Sequence, residues 1–133
     1  MEHAKDMSKY RFDQANQCLA SSKMLVDAGD YKGAANRSYY CVFHAMRSVM
    51  ALQNIDFGNH GQVISYFRRE YIKTSIFPVK MSDILTVLFD VRNKSDYDDF
   101  YLISKEDVTN QLASAEFFLG EIQKYLDKQE RVL

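Results

Sequence analysis

Two short stretches of this chain gather residue types that hold phosphate. The first is a stripe of Arg37, Tyr40, His44 and Arg47. At 100° per residue these four fall within an arc of about 80° on one side of a helix. Arginine and histidine are good donors to phosphate oxygens, and the planar guanidinium fork matches two oxygens at once. The stripe reads equally well as a solvated or interface-lining edge, the usual place of charged side chains. The second stretch is Arg92-Asn93-Lys94-Ser95-Asp96-Tyr97. Arg92 and Asp96 are four apart, so they share one helix face. That face borders the apolar positions Leu85 and Leu88, where a lone ion costs several kcal/mol. The pair reads either as an internal ion pair fixing the helix end or as a pocket in which Arg92 meets a phosphate.

Other candidate chemistry is thinner. His60 stands between Asn59 and Gly61 at the start of a helical pattern and reads as a local cap or turn residue. Asp96, Asp98 and Asp99 lack the glycine-bearing loop of a divalent-cation site and read as a solvated helix end. The only histidines are His3, His44 and His60, and the two cysteines, Cys18 and Cys41, form no Cys-x-x-Cys pair. No metal and no cofactor is expected from that set. Both thiols fall within helical patterns and are expected to be buried and reduced.

The elements that must position these residues are helices. One proline, Pro78, and five glycines interrupt 133 residues. Such scarcity of breakers favours long helices. The first is predicted over Ser8 to Ala28, with Phe12, Ala15, Leu19, Ser22 and Val26 at helical period. Gly29 ends it and Asp30 caps the next. Helix two, from Tyr31 to about Gln53, is apolar over Ala35, Tyr39, Val42, Phe43, Met46, Val49 and Met50, and is therefore central. A loop follows over Asn54 to Asn59. Helix three runs from His60 to about Lys73. Pro78 suits the first turn of helix four, which carries Met81, Ile84, Leu85, Leu88 and Val91 inward and ends near Tyr97. Ser104 and Asp107 resemble a capping box opening helix five, which continues to about Lys128. No alternating strand pattern competes. The expectation is an all-α, up-and-down bundle of about five helices forming one domain over residues 1–133.

Residues 31–44 (Tyr-Lys-Gly-Ala-Ala-Asn-Arg-Ser-Tyr-Tyr-Cys-Val-Phe-His) resemble the second helix of the HEPN family. Arg92 to Tyr97 resembles its motif helix, and Ser104 to Tyr125 its last helix. The similarity runs from about residue 8 to 128. It implies a helical bundle that dimerises, in a family with many RNA-cleaving toxins and defence proteins encoded beside a minimal nucleotidyltransferase antitoxin. Active members carry an arginine followed, after about four to six intervening residues, by a histidine. Here Arg92 and Asn93 match, but Tyr97 stands at the histidine position, as in a degenerate Arg-x4-His branch. Arg37 and His44 have a permitted spacing on the wrong helix, and that match is read as coincidental.

The expected function is a binding module that partners a nucleotidyltransferase protein and contacts nucleotide or RNA through Arg92, Asn93, Asp96 and Tyr97, with the helix-two stripe in support. A metal-independent ribonuclease with a divergent site and a purely structural dimer are the alternatives. The formal net charge of −1 argues against broad polyanion binding but allows a local basic patch. A two-fold homodimer is expected from nine tyrosines, nine phenylalanines and six methionines, with Tyr40 and Ala51 on the outer side of helix two. Helices two and four are expected to run the same way, bringing His44, Arg47, Arg92 and Asp96 to one polar cleft, with direct contact disfavoured within one chain. No apolar run suggests a leader or a membrane span, so a cytoplasmic protein is expected.

Overall fold

The computed structural model describes the backbone of residues 2–132 and the side chains of residues 3–131. The described residues form five α-helices: α1 (Glu2–Ala28), α2 (Tyr31–Ala51), α3 (His60–Phe67), α4 (Lys80–Tyr97) and α5 (Lys105–Val132). A π-helical turn, Arg68–Ile72, continues α3. The fold is an all-α, up-and-down bundle. No described helix is long and apolar enough to cross a membrane.

Local chemistry sets most of the boundaries. Gly29 takes φ +83°, a left-handed conformation that suits glycine, and Asp30 N donates to Leu25 O at 2.9 Å to close α1. The Asp30 carboxylate then accepts from Gly33 N at 2.9 Å and caps α2. Ser104 Oγ accepts from Asp107 N at 3.0 Å and opens α5. The α1–α2 hairpin packs tightly because small residues line it: Ala15, Ala34 and Ala45 are fully buried. Ser22, on the apolar stripe of α1, donates to Ala34 O at 2.9 Å and meets Ser38 Oγ at 2.8 Å. A buried hydroxyl is tolerated there because it is bonded.

Several boundaries differ from the sequence expectation. α1 begins six residues before Ser8, because Ala4 and Ser8 are buried and extend its inner stripe toward the N-terminus. α2 stops at Ala51 rather than Gln53, and Ala51 is buried, not outward-facing. Pro78 lies before α4, not in its first turn; its carbonyl accepts from Met81 N at 3.0 Å and tightens the entry. α3 changes pitch at Arg68, which turns its guanidinium to Ser82 O (2.9 Å) and Thr86 Oγ1 (2.6 Å) on α4.

The largest correction concerns direction. Asn36 pairs with Asp96, and Tyr40, four residues later, pairs with Arg92, four residues earlier. α2 and α4 are therefore antiparallel, not parallel. The cause is the segment between them. Asp56 is tied back to Arg47, and His60 packs on Phe43, so the chain doubles back along α2 before α3 begins. α3 and its π-turn then descend to α4, with Phe67 against Phe118 and Tyr71 against Tyr125. Counting helices from the sequence gives the wrong parity because α3 does not span the bundle. The four long helices alternate, and their core centres on Tyr39, Met46, Met50, Phe67, Met81, Leu85, Leu88, Phe118 and Ile122, all fully buried.

A candidate phosphate site between α2 and α4

Arg92 is the centre of this region, with only 14% of its side chain exposed. Its guanidinium forms an ion pair with Asp96 at 2.9 Å, Nε to Oδ2, one turn on along α4. It donates to Asn93 Oδ1 at 3.2 Å and, across to α2, to the Tyr40 hydroxyl at 3.1 Å. It also lies over the rings of Tyr39 at 5.4 Å and Tyr40 at 5.5 Å. An arginine can be held this way because it stacks on aromatic faces and is more weakly hydrated than an ammonium. Direct contact between the helices within one chain, disfavoured by the helical-wheel expectation, is thus made through Tyr40.

The contacts close into a ring. Arg37 donates to Asn36 Oδ1 from Nε (3.0 Å) and from a terminal nitrogen (2.6 Å). Asn36 donates to Asp96 Oδ2 at 3.3 Å, and Asp96 pairs with Arg92. Arg37 also lies over the Tyr40 ring, at 5.1 Å, so two guanidinium groups flank one phenol. Among the described residues Arg37 meets no carboxylate within ion-pair distance. The ring therefore holds two cations against one carboxylate, an excess of one positive charge.

The remaining predicted site residues are placed differently. Tyr97 is 77% exposed and touches the ring only through its face, 5.8 Å from the Arg92 guanidinium. His44 sits one turn beyond Tyr40, its ring centroid 5.9 Å from that of Tyr40. Burial, followed by the charges of Arg47, Arg11 and Arg37, pushes its imidazole down to about 4, so it is neutral near pH 7. Arg47 does not join the cleft. It donates to Asp56 at 3.0 and 2.6 Å, and Arg11 reaches the same carboxylate at 3.5 Å. The hydrogen bonds from Arg47 hold the Asp56 carboxyl below its ordinary range. The expected four-residue cleft is thus divided: Arg92 and Asp96 belong to the ring with Arg37 and Tyr40, while Arg47 pins the returning loop.

His60 was not expected to face this site. Asn59, not His60, caps α3, its side chain accepting from Gln62 N at 3.2 Å. The His60 ring folds inward against Phe43, 4.2 Å between centroids, and its Nδ1 meets the Tyr39 hydroxyl at 3.0 Å. Burial and the charge of Arg92 hold the imidazole below its ordinary value. Burial also keeps the Tyr39 phenol protonated well above the usual tyrosine range. The helix-start pattern at Asn59 fixed where α3 begins, but only the returning loop brings His60 toward Arg92.

Comparison with known proteins agrees with this architecture. A UPF0332 protein of Thermotoga maritima is 26% identical over 131 residues, covering 98% of this chain and 99% of that one. Two proteins of Methanocaldococcus jannaschii that carry the name "putative toxin" are 28% identical over 114 residues and 26% identical over 112. The first alignment covers 86% of this chain and 78% of the relative, the second 84% and 83%. The sequence profile of the HEPN domain matches residues 8–125, most of the chain, and the protein belongs to the HEPN domain family.

Proposed function

We propose that this chain is a HEPN binding module that recognises a phosphate of RNA or of a nucleotide at the Arg37–Tyr40–Arg92 ring. The observation that carries the reading is the excess positive charge of that ring, two guanidinium groups against one carboxylate across α2 and α4. A single phosphate diester balances it. Asn93 and Asp96 orient Arg92, Tyr97 flanks it from solvent, and His44 supplies a neutral wall. The module acts in the cytoplasm as a homodimer, as one half of a toxin–antitoxin-like pair whose other half is a nucleotidyltransferase protein. The family membership and the toxin names of two relatives support that setting.

Fluorescence anisotropy with a labelled oligouridylate tests the binding claim. Arg92→Ala is expected to weaken binding by at least tenfold, since charge-assisted hydrogen bonds are worth about 1.5–3 kcal/mol each. The affinity should fall only gently with salt, with a slope of about one to two, because few cations meet the strand. Binding unchanged in Arg92→Ala sinks the reading. A nucleotidyltransferase gene beside this one, and a stable complex of the two purified products, is the corresponding test of the partner.

The toxin names favour one second reading, a metal-independent ribonuclease. RNA cleavage by the purified wild type in chelator, abolished by Arg92→Ala, would put it first.

A further inference from the structure

The geometry points to His60 as the second phosphate ligand of the Arg92 site, binding the anion in its protonated form so that RNA affinity rises as pH falls. The inference rests on the Arg92 reading above and adds a residue from a third element, α3. Arg92 and His60 are held against the same two tyrosines. Arg92 donates to the Tyr40 hydroxyl at 3.1 Å and lies 5.4 Å over the Tyr39 ring. His60 meets the Tyr39 hydroxyl at 3.0 Å, and its ring centroid is 5.8 Å from that of each tyrosine. The two cation-bearing groups thus share the same edge-to-face pair of tyrosine rings, supplied by consecutive residues of α2.

The hydrogen-bond pattern suits an anion. The Tyr39 hydroxyl donates to Nδ1 of a neutral imidazole or accepts from Nδ1–H of a charged one. In the neutral tautomer that accepts from Tyr39, and in the imidazolium, Nε2 carries a proton and can donate to a phosphate oxygen. The groups facing the ring are Tyr39, Tyr40, His44 and Arg47 from α2 and Arg92 from α4. None is a carboxylate, so no negative charge there stabilises the imidazolium in the free protein. Burial and the two arginines lower its proton affinity accordingly. A bound phosphate reverses that balance by supplying the missing negative charge. Proton and phosphate binding are then coupled reciprocally.

The test uses the full chain and hexauridylate without terminal phosphates, whose diesters do not titrate in the range studied. Wild-type affinity is measured by anisotropy at about pH 5.5 and about pH 7.5, spanning the ordinary histidine range. One linked proton gives at most tenfold per pH unit, and a change of roughly tenfold across the range is expected. His60→Gln should bind with little pH dependence, and Arg92→Ala should bind weakly at both values. In the wild type, the NMR titration of the His60 ring should move upward on adding hexauridylate; this readout needs no variant. An unmoved titration, or full pH dependence in His60→Gln, overturns the inference and leaves the Arg92 reading standing if Arg92→Ala still loses binding. Failure of the wild type to bind at either pH overturns both. Competition by 5′-AMP distinguishes a terminal phosphate, which displaces the oligonucleotide, from an internal diester, which is not displaced.

Discussion

His44 and Tyr97 show how much a single position's surroundings decide. His44 is half-buried beside three arginines, and its imidazole is pushed down to about 4. The unfolded chain takes up that proton near the ordinary histidine value of about 6.5. Stability contributed by neutral His44 is therefore present above pH ~6.5 and is lost as pH falls toward 4. After discount for its partial exposure, the loss is about 1–2 kcal/mol. His44→Gln should flatten the midpoint of urea unfolding between about pH 6.5 and 4.5; a variant as pH-sensitive as the wild type would contradict this. Tyr97 illustrates the opposite case, a side chain with too little around it. Base catalysis at that position needs a phenolate, and an ordinary tyrosine supplies about 0.1% at pH 7, equivalent to ~4 kcal/mol of barrier. The exposed ring meets the Arg92 guanidinium only face-on, at 5.8 Å. Cleavage through Arg92 and Tyr97 should therefore be negligible. Tyr97→His should raise metal-independent cleavage of labelled RNA above that background by up to about a hundredfold, the lower range of general base catalysis. The gain should vanish in the Arg92→Ala double variant. An unaltered rate in Tyr97→His would mean the ring does not present the scissile phosphate to that position.

At the scale of elements, the helices and the caps of α2 and α5 were legible in the sequence, while the α3 cap, the entry to α4 and the relative directions of the helices were not. Asp30, Gly29 and Ser104 act as their types and positions predict, because capping depends on residues three or four apart. The inner faces of α2 and α4 were legible for the same reason. The antiparallel run of α2 and α4 depends on Arg47 and Arg11 capturing Asp56, which lies 45 residues from Arg11. No periodicity encodes such a contact. Half of the candidate site follows the same division. The Arg92–Asp96 pair is local and was visible, whereas Tyr40 reaching Arg92 and His60 turning inward require the long-range path. The α2 cap offers a sharp local test. A methyl group at Gly33 would come 2.5 Å from Asp30 Oδ2. Gly33→Ala gains about 1 kcal/mol of helix propensity but displaces the cap, which is worth about as much. Alone it should leave the melting midpoint nearly unchanged. In an Asp30→Ala background, already destabilised by about 1 kcal/mol, the same substitution should recover most of the loss. Equal effects in both backgrounds would show that the carboxylate moves aside freely.

For the whole molecule, the question is what covers the apolar residues that the bundle leaves outside. Met46, Phe118 and most other large apolar side chains are buried or half-buried in one chain, so composition alone overstated the surplus. Of the large apolar side chains that remain exposed among the described residues, the three most exposed lie together. Tyr97, Phe100 and Leu102 are 77, 92 and 90% exposed, and all three lie within six residues at the end of α4 and the loop that follows. The turn there is ordered by Asp98, whose carboxylate accepts from Phe100 N at 3.0 Å and whose carbonyl accepts from Tyr101 N at 3.1 Å. Apolar side chains held out by an ordered turn, beside the Arg92 ring, suit a self-complementary contact in which two copies meet around a two-fold axis. Such a contact needs about 800 Å² from each partner, more than three side chains supply, so the flanking face of α4 with exposed Val87 must contribute. The expected mass by light scattering at micromolar concentration is twice the 15.5 kDa of the chain. A Phe100→Asp, Leu102→Asp double substitution should give the monomer, because the two charges from each copy would lose solvation at the contact with no cation to pair them. Its thermal unfolding, compared at a concentration low enough to dissociate the wild type, should be nearly unchanged, since the two side chains are almost fully exposed in one chain. Oligouridylate binding by that monomer separates two arrangements. Retained affinity means each ring is complete in its own chain, and lost affinity means the second copy closes the site. A wild type that is monomeric at micromolar concentration, or a double variant that remains dimeric, removes this surface from consideration as the two-fold contact.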